Sequence, residues 1–170
     1  ARVALVIGNG AYQYITKLDN PMNDAAAMAE TLNRLGFQVF TLTDATQQEM
    51  EEAITEFTRY VPKSALALVY YAGHGVQVDG ANYLVPVNAN IAKQSEVKYK
   101  AVDVGLILDT LIETGSRVNI IILDACRDNP FRSLRGLRIG LAPLAAPHDA
   151  QTYIAYATAP NDYAADGVGE

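Results

Sequence analysis

Apolar, β-branched runs recur along the chain at residues 3–7, 38–42, 66–71, 118–123 and 153–159. Each has the length of a strand. Four of them are nearly continuous hydrophobics, as strands covered on both faces are; the second is the least regular. Helical patterns lie between the runs. Asn20-Pro21 supplies an N-cap and a first helical position, and good helix formers follow over 25–35 until Gly36. Thr46 and Glu49 stand at capping-box spacing and open a helix that runs to Arg59 and stops before Pro62. A third helix is predicted over 104–113, closed by Gly115. Strands alternating with helices imply right-handed crossovers and a mainly parallel sheet.

Two stretches depart from this alternation. Residues 76–78 and 82–85 flank Asp79-Gly80, the signal of a type I′ turn, so a small hairpin is expected after the third strand. From 127 to 150 the pattern is lost, with Pro130, Pro143, Pro147, Gly136 and Gly140 in the segment. That is longer than most ordered connections, which marks it as a functional or mobile loop.

Composition narrows the class. The chain has 170 residues, half of them hydrophobic and 19% charged, which suits one globular domain with a sizeable core. A net charge of -6 argues against a nucleic-acid partner, whose footprint is a basic face. The single cysteine rules out an intramolecular disulfide framework and leaves both the cytoplasm and the periplasm open. No apolar run approaches the ~20 residues of a membrane span. A strand-length run begins directly after Ala1, so a trimmed signal peptide or upstream domain is expected before it.

In parallel α/β sheets, sites gather beyond the carboxyl ends of strands. His74 follows the third run and Cys126 the fourth. If those strands are neighbours, the two residues share one rim. A free thiol has a pKa near ~8.5 and is mostly protonated at neutral pH; an imidazole beside it can take its proton and later protonate a leaving amine. Backbone N–H groups of Gly75 and Cys126 could then face an oxyanion, each such donor being worth roughly 2.7–4 kcal/mol of barrier. By residue type alone, a lone cysteine after a strand is more often a small buried hydrophobe, and a histidine between glycines more often a turn residue. Spacing leaves that choice open. Gly8-Asn9-Gly10 lacks the third glycine of a dinucleotide fingerprint, and no Walker-type lysine follows, so a tight turn is the better reading there. His74 and His148 lack ligand spacing, which argues against a metal hydrolase.

The segments around both residues resemble the caspase–metacaspase superfamily of cysteine peptidases. Asp124-Ala125-Cys126-Arg127-Asp128 stands where the caspase cysteine signature would, with His74 lying 52 residues upstream. Val3 to Asn9 is similar to the family's first strand and turn, Leu18 to Ala25 to the entry of its first helix, and Tyr156-Ala157-Thr158-Ala159-Pro160 to the strand beside which substrates dock. The resemblance implies a caspase-like three-layer α/β/α sandwich with a mainly parallel central sheet. It also implies a single catalytic domain over residues 1–170 that lacks its sixth strand and last helices, which a separate chain could supply.

Within that superfamily the chain resembles metacaspases and bacterial orthocaspases, which cleave after Arg or Lys, more than caspases, which cleave after Asp. Leu18 stands where caspases place a pocket Arg, and Asp124 where they place Gln. Asp24, Asp124 and Ala72 match the basic-specific S1 pocket, with Asp162 and Asp166 as second-tier positions. Such carboxylates can bind a guanidinium bidentately. The resemblance further implies self-cleavage in the long loop, after Arg132, Arg135 or Arg138. No organic cofactor is expected. Many metacaspases need calcium, and Asp103 and Asp109 invite that idea without forming a recognisable ligand cluster. The expected partner is a protein or peptide substrate, and the competing reading is a catalytically idle caspase-like interaction module.

Overall fold

The third apolar run is the backbone of the architecture, and it extends beyond Tyr71. The computed structural model describes residues 1–126, 130, 131, 134, 141, 142 and 151–157. In chain order the elements are β1 (Arg2–Gly8), α1 (Asn20–Arg34), β2 (Gln38–Thr43), α2 (Gln47–Arg59), β3 (Leu66–Val78), β4 (Ala81–Leu84), α3 (Val97–Lys100), β5 (Val102–Asp103), α4 (Val104–Glu113), β6 (Val118–Cys126) and β7 (Gln151–Tyr156). β3 pairs in parallel with β1 on one side and with β6 on the other. β2 and β7 complete a parallel order β2-β1-β3-β6-β7. The last residues of β3 turn to antiparallel pairing with β4, which in turn holds β5.

Period-two alternation divides the strands between two cores. Val3, Leu5 and Ile7 of β1 face a core built with Met50 and Phe57 of α2 and Ile107 and Leu111 of α4. Ala4 and Val6 face the opposite side, against Ala25, Ala29 and Leu32 of α1. The result is a sheet with helices on both faces. α1 comes very close to β1: a Cβ on Gly8 would sit 2.7 Å from both Ala25 Cβ and the Pro21 carbonyl oxygen. Only glycine fits there. The approach fixes the height of α1 above the strand ends, and therefore the position of Asp24.

The sequence pattern located these elements, apart from α3 and β5, with local differences. Thr46 caps α2 as expected: its hydroxyl accepts from the Glu49 N–H at 3.2 Å, and the Glu49 carboxylate accepts from the Thr46 N–H at 3.3 Å. α4 has the predicted bounds, with Asp103 at its N-cap accepting from the Gly105 N–H at 2.8 Å. The hairpin also forms, with Asp79 and Gly80 both at positive φ. α1 starts one residue early, with Asp19 at the N-cap position and no side-chain cap; the fixed φ of Pro21 in the first turn sets the start. β2 is an edge strand among the described residues and is half exposed, which explains its weaker pattern. Among the described residues no helix is long and apolar enough to cross a membrane.

Replacing Thr46 by Ala removes one half of the capping box. A loss of about 1 kcal/mol in unfolding free energy is expected by denaturant titration. A loss below a few tenths would show that α2 is held by packing alone.

Candidate active site

His74 and Cys126 are register partners. The β3–β6 ladder runs from Leu66↔Val118 through Tyr70↔Ile122 and Ala72↔Asp124 to His74↔Cys126. Adjacent strands in register present paired positions on the same face, so positions 70, 72 and 74 of β3 share a face with 122, 124 and 126 of β6. His74 lies inside the extended β3, not in a turn after it, and Cys126 is the last residue of β6. The glycines around His74 had made that stretch read as a break. A Cβ on Gly73 would stand 2.6 Å from the Tyr71 hydroxyl and 2.7 Å from that of Tyr12, so Gly73 admits those hydroxyls while the strand continues.

Those two tyrosines hold the histidine backbone. The Tyr12 hydroxyl accepts from the His74 N–H at 2.8 Å and donates to the Val85 carbonyl at 3.1 Å. The Tyr71 hydroxyl donates to the His74 carbonyl at 2.6 Å. The Tyr12 ring also lies against the imidazole, with centroids 4.6 Å apart. His74 is 1% exposed, and its Nε2 is 2.8 Å from the Thr16 carbonyl oxygen. A carbonyl only accepts, so Nε2 carries the proton and a neutral ring has its lone pair on Nδ1.

The segment that brings Thr16 to the ring is anchored from beneath. Asp44 Oδ1 accepts from the N–H groups of Gly10 and Ala11 at 2.9 and 2.8 Å. Asn9, fully buried, accepts from the Ala45 N–H at 2.9 Å and donates to the Val85 carbonyl at 3.3 Å. The amides after β1 are thus used within the fold, which accounts for Gly8-Asn9-Gly10 without a bound phosphate.

Two carboxylates lie on the α1 side of the same rim. Asp124 is half-buried and takes a hydrogen bond from the Tyr70 hydroxyl at 3.0 Å. Asp24 is in the second turn of α1, beyond the first turn where a carboxylate would serve the helix dipole. Partial burial, and next the charge of Asp124, raise the Asp24 carboxyl above its ordinary value. The described ion pairs, Arg34–Glu30, Arg59–Glu56 and Lys100–Glu96, all lie within single helical segments. None neutralises Asp24 or Asp124. Ala72 is buried in β3 between β1 and β6, with Gly8 and Asp124 as its register partners.

Gly75 falls where β3 leaves β6 and begins to pair with β4, opposite Leu84. Asp162, Asp166, Arg132, Arg135 and Arg138 lie outside the described residues. Asp103 is engaged as a helix cap, Asp109 is exposed, and no group of three or more metal-ligating side chains occurs among the described residues. Residue-type reasoning missed Tyr12, Thr16, Tyr70 and Tyr71. Two described points of the long loop are also anchored: Phe131 is buried with Tyr12 and Val76, and Ala142 is held by Asn82, which donates to its carbonyl at 2.8 Å and accepts from its N–H at 2.6 Å.

Residues 1–170 match the family model for the caspase domain. The chain belongs to the caspase-domain family. This is a family of proteases that act on protein substrates. Human mucosa-associated lymphoid tissue lymphoma translocation protein 1 is 37% identical over 126 residues, 74% of this chain and 15% of that protein. The mouse homolog matches over the same extent. The chain therefore spans only about 15% of the length of these curated relatives. A solved structure from Geobacter sulfurreducens, protein GSU0716, superposes with a TM-score of 0.59 at 20% identity, covering 75% of this chain and 52% of that one. That likeness establishes the caspase-like α/β fold.

The raised Asp24 carboxyl, a result of partial burial and then of the Asp124 charge, has a thermodynamic sign. A carboxyl whose folded pKa is raised binds its proton more tightly in the folded state, so stability falls as pH rises from the ordinary value of 3.8 through the raised one. Asp24→Asn is expected to raise the melting temperature slightly at neutral pH, with the gain vanishing below pH 3.8. Thermal melts of both proteins across pH 3–7 check this; a variant less stable at neutral pH would contradict it.

Proposed function

We propose that this caspase-family domain is a cysteine endopeptidase that uses Cys126 and His74 and cleaves after Arg or Lys. The observation that carries the reading is the backbone register His74↔Cys126, reached with His74 Nε2 committed to the Thr16 carbonyl. With Nε2–H given to that carbonyl, the neutral ring has its basic lone pair on Nδ1, the proposed site of proton exchange with the thiol.

The chemistry then runs in two balanced halves. The thiol proton passes to Nδ1, and the thiolate attacks the scissile carbonyl carbon. Collapse of the tetrahedral adduct breaks the C–N bond, and the imidazolium returns the proton to the departing amine. Water, deprotonated by the same imidazole, then hydrolyses the thioester and restores the thiol. Backbone N–H groups of Gly75 and Cys126 are the proposed oxyanion donors. The buried tyrosine frame supports the scheme because it holds the His74 backbone from both its N–H and its carbonyl. No organic cofactor is required.

For specificity, Asp24 and Asp124 with the small Ala72 form the proposed S1 pocket, and Asp162 and Asp166 are its outer positions. Its support is electrostatic: two carboxylates without a described ion-pair partner, Asp24 raised by partial burial and next by the charge of Asp124, gain by receiving a guanidinium or ammonium. The metacaspase or orthocaspase character of the domain rests on this pocket. Self-cleavage after Arg132, Arg135 or Arg138 follows from the same preference, in a segment whose flanks at Phe131 and Ala142 are anchored.

Fluorogenic peptides ending in Arg, Lys or Asp, assayed with and without calcium, test the reading. Turnover is expected for Arg and Lys peptides, with loss of at least a hundredfold in Cys126→Ala and a tenfold or greater loss for Arg peptides in Asp124→Asn. Mass spectrometry of the active enzyme should show cuts between Phe131 and Leu141 that are absent from Cys126→Ala. Preference for Asp would refute the pocket. Absence of any turnover, with biological output retained in Cys126→Ala, would instead favour an idle interaction module.

A further inference from the structure

Tyr70 combines features of a core residue and of a pocket residue. It is 4% exposed and packs in the apolar layer beneath α1 with Ala25, Leu68 and Ala72. Its register partner on β6 is Ile122, one rung below the Ala72↔Asp124 pair. The phenol nevertheless reaches diagonally to the next rung and donates to Asp124 Oδ2 at 3.0 Å. Diagonal neighbours on one sheet face lie within reach of a long aromatic side chain. Burial, followed by the charge and hydrogen bond of Asp124 and the charge of Asp24, pushes the phenol well above its ordinary range, so it is a protonated donor at neutral pH.

We propose that Tyr70 is a positioning residue for the primary specificity pocket, fixing the Asp124 carboxylate in the orientation that receives an arginine fork. The role rests on the S1 reading given above. A carboxylate has two oxygens, and a planar guanidinium engages both only when their plane is set. Tyr70 sets it by holding Oδ2, while Ala72, the register partner of Asp124, contributes only a methyl side chain beside it. Lysine presents a compact ammonium with freely rotating donors and gains much less from that alignment. Tyr70 thus biases the pocket toward Arg over Lys, and it does so without touching the scissile bond.

Tyr70→Phe keeps the ring and removes only the donor. In the full chain the expected result is a roughly tenfold higher KM for Arg peptides, kcat within about twofold, and an Arg/Lys selectivity ratio reduced about fivefold. In an Asp124→Asn background the same substitution should leave the ratio unchanged, because the group it orients is gone. The ratio is measured within one preparation, so partial unfolding of the variant does not distort it. An unchanged ratio in Tyr70→Phe, or the same loss with and without Asp124, overturns the role. A parent enzyme that cleaves only after Asp fails the S1 reading itself, a distinct result that removes the basis for this one.

Discussion

The parallel pairing of β3 with β6 is the constraint on which the rest depends. It is the central ladder of the sheet, and each of its rungs has a consequence. The lower rungs, such as Val69↔Ile121, bury apolar side chains against α2 and α4. The upper rungs carry Asp124 and then His74 with Cys126. A slip of one residue would turn every β6 side chain to the other face, carrying Asp124 into the core beside α2 and α4 and Ile121 out of it. The hydrophobic pattern that stabilises the fold therefore also specifies which polar residues meet at its edge. Stability and site geometry are set by one register.

Around that ladder, the polar parts of the site are held by buried groups with little freedom. Tyr12, Tyr71 and Asn9 all converge on the Val85 carbonyl while two of them also bond His74. Networks of this kind are costly when half satisfied, because each orphaned buried group loses about 1–3 kcal/mol. The hairpin thus does more than cap the sheet: Val85, the residue directly after its return strand, supplies the carbonyl on which the histidine frame is built. On the α1 side of the rim, partial burial and then the charge of Asp124 hold the Asp24 carboxyl above its ordinary value, an electrostatic cost that the fold carries at this edge.

Much of this was legible in the sequence, and the exceptions have physical causes. The Thr46–Glu49 cap, the Asp79-Gly80 turn and the bounds of α4 are local, so short motifs encode them. The true length of β3 was hidden because Gly73, His74 and Gly75 interrupt the apolar run, although the strand continues through them. α3 and β5 are four and two residues long, too short for any period to register. His74 and Cys126 were visible as reactive types at two strand ends, but that the two strands are neighbours, and in which register, comes from the structure. Thr16 was not visible, because it contributes only a carbonyl that any residue could supply. Tyr70 was missed for the opposite reason: a buried aromatic in a strand reads as core, and only its hydroxyl has a second purpose.

The central claim is that the thiol of Cys126 and the imidazole of His74 form one chemical unit. The pH dependence of iodoacetamide alkylation at Cys126, the only cysteine of the chain, measures it directly. The account predicts a thiolate titrating below the ordinary value of about 8.5 in the parent protein, returning toward that value in His74→Gln. Identical titration curves for the two proteins would contradict it.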